Sequence, residues 1–234
     1  MTVSPEPLLL LPGMMCDARL FAPQFAAFSA TRMVAVAPLV GHADMAGLAA
    51  DVLAHAPPRF ALAGLSMGGI VAMEMMRQAP DRITRLALLD TNPLPEPPER
   101  AAAREPQIER VEAGQLRIVM RDEMKPHYLA DGPLRRGVLD LCMAMADTLG
   151  PAAFVVQSRA LASRPDQTET LRTVRVPTLV LCGAEDRLCP PERHELMRDL
   201  VSGAHLSVID GAGHLPVLER PDETNAQLSA WLNR

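Results

Sequence analysis

A serine at position 66 stands in a pattern that could support nucleophilic catalysis. The segment GLSMGG at 64–69 follows an apolar run and precedes a helical pattern, which predicts a G-x-S-x-G turn between a strand and a helix. Gly64 and Gly68 flank the serine because a Cβ at either position would collide with the neighbouring strand or helix. The turn lifts the Ser66 hydroxyl clear of the sheet, at the N-terminus of a helix whose dipole favours developing negative charge. Ser66 is therefore the candidate nucleophile.

A serine hydroxyl is a poor nucleophile near neutral pH, so it needs a base, and the base needs an orienting partner. His214 follows the last predicted strand in a glycine-rich loop that can bring its ring to the carboxyl edge of the sheet. His42 lies in a loop and His127 in a helical region, and no placement argument favours either. The other histidines are interpreted as structural or solvent-facing: His55, His194 and His205.

The carboxylate that orients the histidine is predicted at Asp186. A predicted strand ends at Cys182, and the loop that follows lies at the carboxyl end of that strand, where open α/β sheets place their sites. Glu185 is a possible substitute one residue away. Asp90, at the end of another predicted strand, is a second competitor whose alternative role is turn formation. The chain order Ser, Asp, His differs from the orders found in chymotrypsin and subtilisin.

Two backbone amides are candidates for an oxyanion hole. Acyl transfer builds negative charge on the former carbonyl oxygen, and losing one N–H donor to that charge typically costs about 3–4 kcal/mol. One donor should be the N–H of Met67, immediately after the nucleophile. The other should be the N–H of Met14, in the loop after the first predicted strand, where Gly13 allows a close approach.

Short apolar runs bounded by Gly and Pro alternate with helical patterns along most of the chain. Nearly continuous apolar runs are typical of parallel strands buried on both faces, and the alternation predicts a mostly parallel sheet of about six strands with helices on both faces. The predicted strands are Pro7–Leu11, Met33–Ala37, Phe60–Gly64, Arg85–Asp90, Thr178–Cys182 and His205–Ile209. The helical patterns between them include Met45–Ala54, Met67–Ala79, Pro191–Leu200 and Thr224–Leu232.

One region breaks this alternation. From about Asn92 to about Thr173 no convincing strand is found, and a linker rich in Pro and Glu precedes helical patterns such as Ala101–Glu112 and Leu134–Leu149. An insertion of this size between two strands predicts a helical cap over one end of the sheet. The predicted division is a core of residues 1–91 and 174–234 with a cap of residues 92–173.

The composition is that of a soluble globular protein, with 48% hydrophobic and 22% charged residues. Acidic residues outnumber basic ones by 28 to 23, and the absence of a Lys/Arg block argues against nucleic acid as a partner. No signal peptide or membrane-spanning stretch is predicted, so the expected location is the cytoplasm. The cysteines show no metal-ligand spacing and are expected to be reduced thiols. They are Cys16, Cys142, Cys182 and Cys189.

The chain resembles the α/β-hydrolase superfamily, and most of all its small bacterial carboxylesterase and enol-lactonase branch. The resemblance rests on LPGM at 11–14, GLSMGG at 64–69, APDRI at 79–83, VPTLVLCGAED at 176–186 and GAGHLP at 211–216, with Glu219 and Pro221 after it. It implies the α/β-hydrolase fold and the three site residues already inferred. Two departures stand out. Pro12 occupies a position usually held by His, and no opening antiparallel hairpin is recognised, so about six core strands are expected rather than eight.

The predicted activity is two-step acyl transfer on a carboxylic ester or lactone, with no metal and no organic cofactor. The cap and the Met-bearing loops favour a small to medium, largely apolar small-molecule substrate. Neither nucleic acid nor a membrane is expected as a partner, and the protein is expected to be a monomer or a homodimer. The same triad in the same fold could instead cleave C–C bonds, run perhydrolysis or catalyse eliminations. The alternative from another class is a ligand-binding protein that retains the hydrolase shell.

Overall fold

Six parallel strands form a single sheet at the centre of the protein. The computed structural model describes residues 5–125 and 128–234. The strands are β1 (Leu8–Leu11), β2 (Val34–Val36), β3 (Phe60–Leu65), β4 (Ile83–Leu89), β5 (Thr178–Gly183) and β6 (His205–Ile209). Their order across the sheet is β2-β1-β3-β4-β5-β6, and every neighbouring pair is parallel. The carboxyl ends of these strands therefore meet at one edge.

The side chains of the strands enter two apolar layers in alternation. Leu8 and Leu10 of β1 join one buried cluster, whereas Leu9 and Leu11 join the cluster on the opposite face. Because both faces of the sheet are covered, a central strand must be apolar at nearly every position. Every residue of β1, β3 and β5 is buried, which explains the apolar runs in the sequence.

Helices cover both faces of the sheet. The core helices are α1 (Ala22–Phe28), α2 (Met45–His55), α3 (Met67–Gln78), α8 (Pro191–Leu200), α9 (Pro216–Glu219) and α10 (Pro221–Leu232). The helices α1 and α10 pack in one apolar layer, and α2, α3 and α8 pack in the other. Capping residues and prolines in the sequence mark the first turns of several of these helices. Asp44 caps α2 by accepting a 2.7 Å hydrogen bond from the Gly47 N–H, and proline occupies the first turn of α8 and of α10.

Between β4 and β5 the described residues form helices and turns but no strand. These helices are α4 (Pro98–Arg110), α5 (Leu116–Ile118), α6 (Arg135–Ala162) and α7 (Thr168–Thr173), with π-helical turns on either side of α5. The helices α4 and α6 pack against each other. Residues of α4 line the same cavity as the loops that follow β1, β3 and β6, so this region covers the carboxyl edge of the sheet.

The helix α6 is long and apolar, with a mean hydropathy of 1.5 over its most apolar window. By length and composition alone it could cross a membrane. Gly150 interrupts it with a φ of 76° and is followed by Pro151, so neither half reaches the roughly 20 residues that a bilayer requires. Buried residues of both halves, such as Cys142 and Phe154, pack in the two apolar layers. In this fold α6 is a bent helix of the region between β4 and β5, which corresponds to the predicted cap.

The predicted fold class is confirmed, and the differences lie at the ends of elements. All six predicted strands are present, although β4 begins at Ile83 rather than Arg85 and β2 is shorter at both ends. The helix α6 runs past its predicted end at Leu149, because the bend at Gly150 does not terminate it. The helix α10 begins earlier than predicted, at Pro221, since proline fits the first turn of a helix. The division into core and cap stays a prediction.

Gly64→Ala should destabilise the protein strongly. A Cβ at Gly64 would lie 2.2 Å from the carbonyl oxygen of Gly68, which is backbone and cannot move aside as a side chain could. Overpacking typically costs about 1–3 kcal/mol, so we expect a loss of about 3 kcal/mol in the free energy of unfolding, measured by urea denaturation. In the control Gly137→Ala the new Cβ meets no atom within 4 Å, and a small gain in stability is expected. Wild-type stability in Gly64→Ala would contradict this packing.

Candidate active site

Ser66 joins β3 to α3 in a strained backbone conformation. Its φ is 54° and its ψ is −116°, a region that residues other than glycine rarely adopt. The Ser66 N–H donates to the Leu89 carbonyl at 2.9 Å, and the Thr91 hydroxyl donates to the Ser66 carbonyl at 2.7 Å. Gly68 packs so closely that a Cβ there would lie 2.1 Å from the Leu11 carbonyl oxygen. These contacts fix the turn, and Ser66 lines a cavity above the sheet.

The structure brings Ser66, His214 and Asp186 into one chain of hydrogen bonds. His214 Nε2 lies 2.9 Å from Ser66 Oγ, and His214 Nδ1 lies 2.8 Å from Asp186 Oδ2. A carboxylate beside Nδ1 fixes the proton on that nitrogen, so Nε2 is left to accept the serine proton. The side chains of His214 and Asp186 are almost fully buried, so water does not compete for these bonds. The arrangement can carry a proton from the serine to the histidine.

Asp186 is held as an anion. Its Oδ1 accepts hydrogen bonds from the amides of Leu188 at 2.8 Å and Cys189 at 3.0 Å. Burial alone would raise the pKa of Asp186, but the adjacent His214 and the two amides lower it below its ordinary value. The ionised carboxylate both orients the imidazole and stabilises its positive charge when it gains a proton.

The two competing carboxylates occupy different positions. Glu185 is exposed and does not contact the histidine. Asp90 is fully buried, and its Oδ1 accepts a 2.9 Å hydrogen bond from the Gly183 N–H. Burial, and after it the charge of Asp186, raises the pKa of Asp90 well above its ordinary value. The raised pKa favours the neutral form of Asp90 beside the ionised Asp186, and its Oδ1 holds the end of β5.

The other described histidines lie away from the serine hydroxyl. His42, His55 and His205 are exposed. His194 is fully buried, where its Nε2 accepts a 3.1 Å hydrogen bond from the Thr91 N–H, and burial lowers its pKa to about 4. The neutral His194 thus links α8 to the loop that supports Ser66, which agrees with the structural role predicted from the sequence. His127 lies outside the described residues.

The two candidate oxyanion donors flank the serine. Met67 is the first residue of α3, and the first N–H groups of a helix have no intrahelical partner. In the described part of the chain no hydrogen bond uses the Met14 N–H, and a Cβ on neighbouring Gly13 would lie 3.4 Å from Ser66 Cβ. The role of both amides stays a prediction.

Gln157 of α6 braces the loop that carries Met14. Its Oε1 accepts a 2.8 Å hydrogen bond from the Met15 N–H, and its Nε2 donates to the Leu39 carbonyl at 2.8 Å. This brace reaches across from the cap, far along the chain, and nothing in the sequence around Gln157 indicated it. It holds the loop in which Pro12 replaces the more usual histidine.

Glu219 organises the histidine loop. Its carboxylate accepts hydrogen bonds from the amides of Gly213 and Leu215, both at 3.0 Å, and of Ala130 at 2.8 Å. The His214 N–H in turn donates to the Tyr128 carbonyl at 2.6 Å. Glu219 is among the residues that carry the family resemblance, but the sequence predicts no contact for it. It ties the loop of the candidate base to the cap.

A cavity of about 300 Å³ opens above Ser66. Apolar side chains from both the core and the cap line one part of it, among them Leu65, Ile70, Met124, Leu161 and Leu215. Charged side chains line another part, namely Glu96, Arg100, Arg104, Glu123 and Arg164. The expected largely apolar substrate therefore suits only part of this cavity, because the sequence does not reveal which face of α4 points inwards.

Asp186, Cys189 and His214 place potential metal-ligand atoms within 4.8 Å of one another. Two of these groups are already joined by the hydrogen bond between His214 Nδ1 and Asp186 Oδ2. Burial raises the pKa of the Cys189 thiol well above its ordinary value, whereas a metal-binding cysteine must lose its proton. The donor set does not favour a cation over the hydrogen bonds present.

One protein family matches almost the whole length of the chain. Residues 8–227 match the alpha/beta hydrolase family. The chain therefore belongs to the alpha/beta hydrolase family. The order of the site residues, the parallel sheet and the turn at Ser66 agree with that membership.

Similar proteins include esterases and a lactonase. An esterase from Thermogutta terrifontis, solved with malate bound, has a TM-score of 0.88 at 30% identity over 97% of this chain and 89% of that chain. The enol-lactonase from Burkholderia xenovorans LB400 also has a TM-score of 0.88, at 22% identity over 98% and 92% of the two chains, which supports the fold. The pimeloyl-[acyl-carrier protein] methyl ester esterase of Aromatoleum aromaticum is 28% identical over 184 residues, 74% of this chain and 73% of that protein.

Asp186→Asn and Asp90→Asn should separate the roles of the two carboxylates. Asp186→Asn should lower kcat for an ester about 10⁴-fold, because the amide supports the wrong histidine tautomer. Asp90→Asn should leave kcat close to wild type, since the raised pKa of Asp90 favours its uncharged form and the residue makes no hydrogen bond to the Ser66 or His214 side chain. Equal losses of kcat in both variants would contradict this division.

The stability of Asp90→Asn should depend less on pH than that of the wild type. The pKa of Asp90 is raised in the folded state, so its contribution to stability is present below the unfolded pKa of about 4 and is lost as the pH rises towards the folded pKa. Asn does not titrate. Urea unfolding at acidic and mildly alkaline pH measures the difference, and a steeper decline in the variant would contradict the assignment.

Proposed function

We propose that the protein is a serine hydrolase that cleaves a carboxylic ester or lactone through an acyl-enzyme. The observation that carries the proposal is the hydrogen-bonded chain from Ser66 Oγ through His214 to Asp186 Oδ2, at the floor of a cavity. A serine, a neutral imidazole and an ionised carboxylate in this geometry are what nucleophilic acyl transfer requires.

The first step forms the acyl-enzyme. His214 Nε2 takes the hydroxyl proton as Ser66 Oγ attacks the carbonyl carbon, and Asp186 stabilises the resulting imidazolium. The N–H groups of Met14 and Met67 donate hydrogen bonds to the negatively charged oxygen that forms. When the tetrahedral intermediate collapses, the imidazolium gives its proton to the departing alkoxide.

The second step repeats this chemistry with water as the nucleophile. His214 takes a proton from water, and the hydroxide attacks the acyl carbon bound to Ser66. Collapse of the second intermediate returns the proton to Ser66 and releases the carboxylic acid. For a lactone, the alcohol and the acid remain parts of one product.

Ester or lactone chemistry is favoured over the other reactions open to this triad. The relatives named above include an esterase, an enol-lactonase and a methyl ester esterase. A protein that only binds ligands would not need the strained conformation of Ser66, which costs about 1–3 kcal/mol. A panel of esters, lactones and C–C substrates separates the candidate reactions.

Ser66→Ala tests the proposal. The wild type should react with a fluorophosphonate probe and gain the corresponding mass on Ser66, and the variant should not. Hydrolysis of a p-nitrophenyl ester should fall by about 10⁴-fold or more in the variant. Ser163→Ala is the matched control, since Ser163 lies at the exposed end of α6 and contacts only backbone carbonyls. A wild type that neither labels nor hydrolyses esters would refute the proposal.

A further inference from the structure

Three arginines of the cap line the cavity that contains Ser66. Arg100 and Arg104 belong to α4, and Arg164 follows the end of α6. Arg164 is only 9% exposed, and the Arg104 side chain only 15%. Arg104 and Arg164 both pair with Glu96, so their two guanidinium groups lie near one another. Arg104 and Arg164 are thus largely desolvated cations, which call for a specific explanation, whereas Arg100 is an exposed residue beside them on the cavity wall.

The carboxylates at this end of the cavity do not balance those charges. Glu96 is almost fully buried between two of the arginines, 3.2 Å from Arg104 Nη2 and 2.8 Å from Arg164 Nη1. Glu123, the other carboxylate of the cap side, pairs with Arg110 and Gln107 instead. In the described part of the chain Arg100 makes no ion pair. Arg104 and Arg164 therefore share one carboxylate and Arg100 pairs with none of the described ones, so the surplus charge at this end of the cavity is positive.

One donor of this cluster is buried without an acceptor. Arg104 Nε has no hydrogen-bond partner, although a buried unpaired donor on a charged group is costly. The same guanidinium reaches towards the oxyanion loop, with Nη1 4.0 Å from the Met14 sulfur. The arginine that carries the unsatisfied donor lines the same cavity as Ser66. An oxygen atom of a ligand would satisfy it.

We propose that Arg100 and Arg104 form an anion subsite, and that the substrate carries a second anionic group, a carboxylate or a phosphate, remote from the scissile carbonyl. The inference rests on the proposed function and names its substrate class. Guanidinium groups suit both anions because their planar donors bind two oxygens at once. Glu96, which also pairs with Arg164, holds Arg104 in place. The apolar part of the cavity then holds the carbon chain between the two ends.

Matched substrates test the subsite. We would compare kcat/KM for monomethyl glutarate, methyl 4-phosphonobutanoate and the neutral dimethyl glutarate in the wild type and in Arg104→Gln. A charge-assisted hydrogen bond contributes about 1.5–3 kcal/mol, so the variant should lose about 10–100-fold on the anionic substrates and little on the neutral one. Arg117→Gln is the control, since Arg117 is an exposed arginine of the cap that pairs with Asp147 outside the cavity. It should resemble the wild type on all three substrates.

The two anions are distinguished by the substrate that the wild type prefers, the monocarboxylate or the phosphonate. A wild type that shows no preference for either over dimethyl glutarate would overturn the subsite. So would an Arg104→Gln variant that loses equally on charged and neutral substrates, because that pattern is expected if the arginine only supports the fold.

A second measurement does not depend on turnover. Glutarate or 3-phosphonopropionate should slow fluorophosphonate labelling of Ser66 in the wild type and should lose this effect in Arg104→Gln. Labelling that no anion slows would refute the subsite while leaving the serine hydrolase intact. A wild type without labelling and without hydrolysis would instead refute the proposed function, so the two failures are distinct.

Discussion

The strained backbone at Ser66 is the constraint around which the site is arranged. A residue with a Cβ at φ 54° and ψ −116° costs about 1–3 kcal/mol and persists only where its surroundings hold it. Here the surroundings are the sheet and the following helix. The Leu89 carbonyl accepts a hydrogen bond from the Ser66 N–H, and the Thr91 hydroxyl donates one to the Ser66 carbonyl. Both backbone groups of the strained residue are therefore satisfied by the neighbouring strand and the loop after it. The packing of β3 against β4 thus holds the strained residue, and with it the Ser66 hydroxyl, in place.

The same edge of the sheet gathers the other two groups by close backbone contact. A Cβ on Gly183 would lie 2.0 Å from the Gly213 carbonyl oxygen, so the loops after β5 and β6 touch main chain to main chain. The Glu185 N–H also donates to the Ala212 carbonyl at 2.9 Å. Because the loops are joined in this way, the short distance between Asp186 and the histidine follows from the backbone. The side chains need little adjustment.

Local sequence patterns were sufficient for the fold, and they favoured the serine, the histidine and Asp186 as site residues while leaving Asp90 and Glu185 as competing carboxylates. An apolar run predicts a strand buried on two faces, and the serine, the histidine and Asp186 each follow such a run directly. The contacts of Gln157 with the Met15 amide and of Glu219 with Ala130 could not be predicted, because their partners lie far along the chain. For the same reason the sequence did not reveal that arginines of α4 face the cavity. Helical periodicity predicts which residues share one face of α4. What that face contacts is determined by how the cap packs on the core.

The cap is joined by hydrogen bonds to the loop of Met14 and to the loop of His214, which limits how the site can open. Gln157 holds the loop of Met14, and the Tyr128 carbonyl accepts the His214 N–H. A rigid displacement of the whole cap would break these bonds and expose buried amides, each at a cost of about 1–3 kcal/mol. Movement confined to α4 would leave both bonds intact, since neither involves that helix. The helix that carries Arg100 and Arg104 can therefore move without breaking either of these bonds.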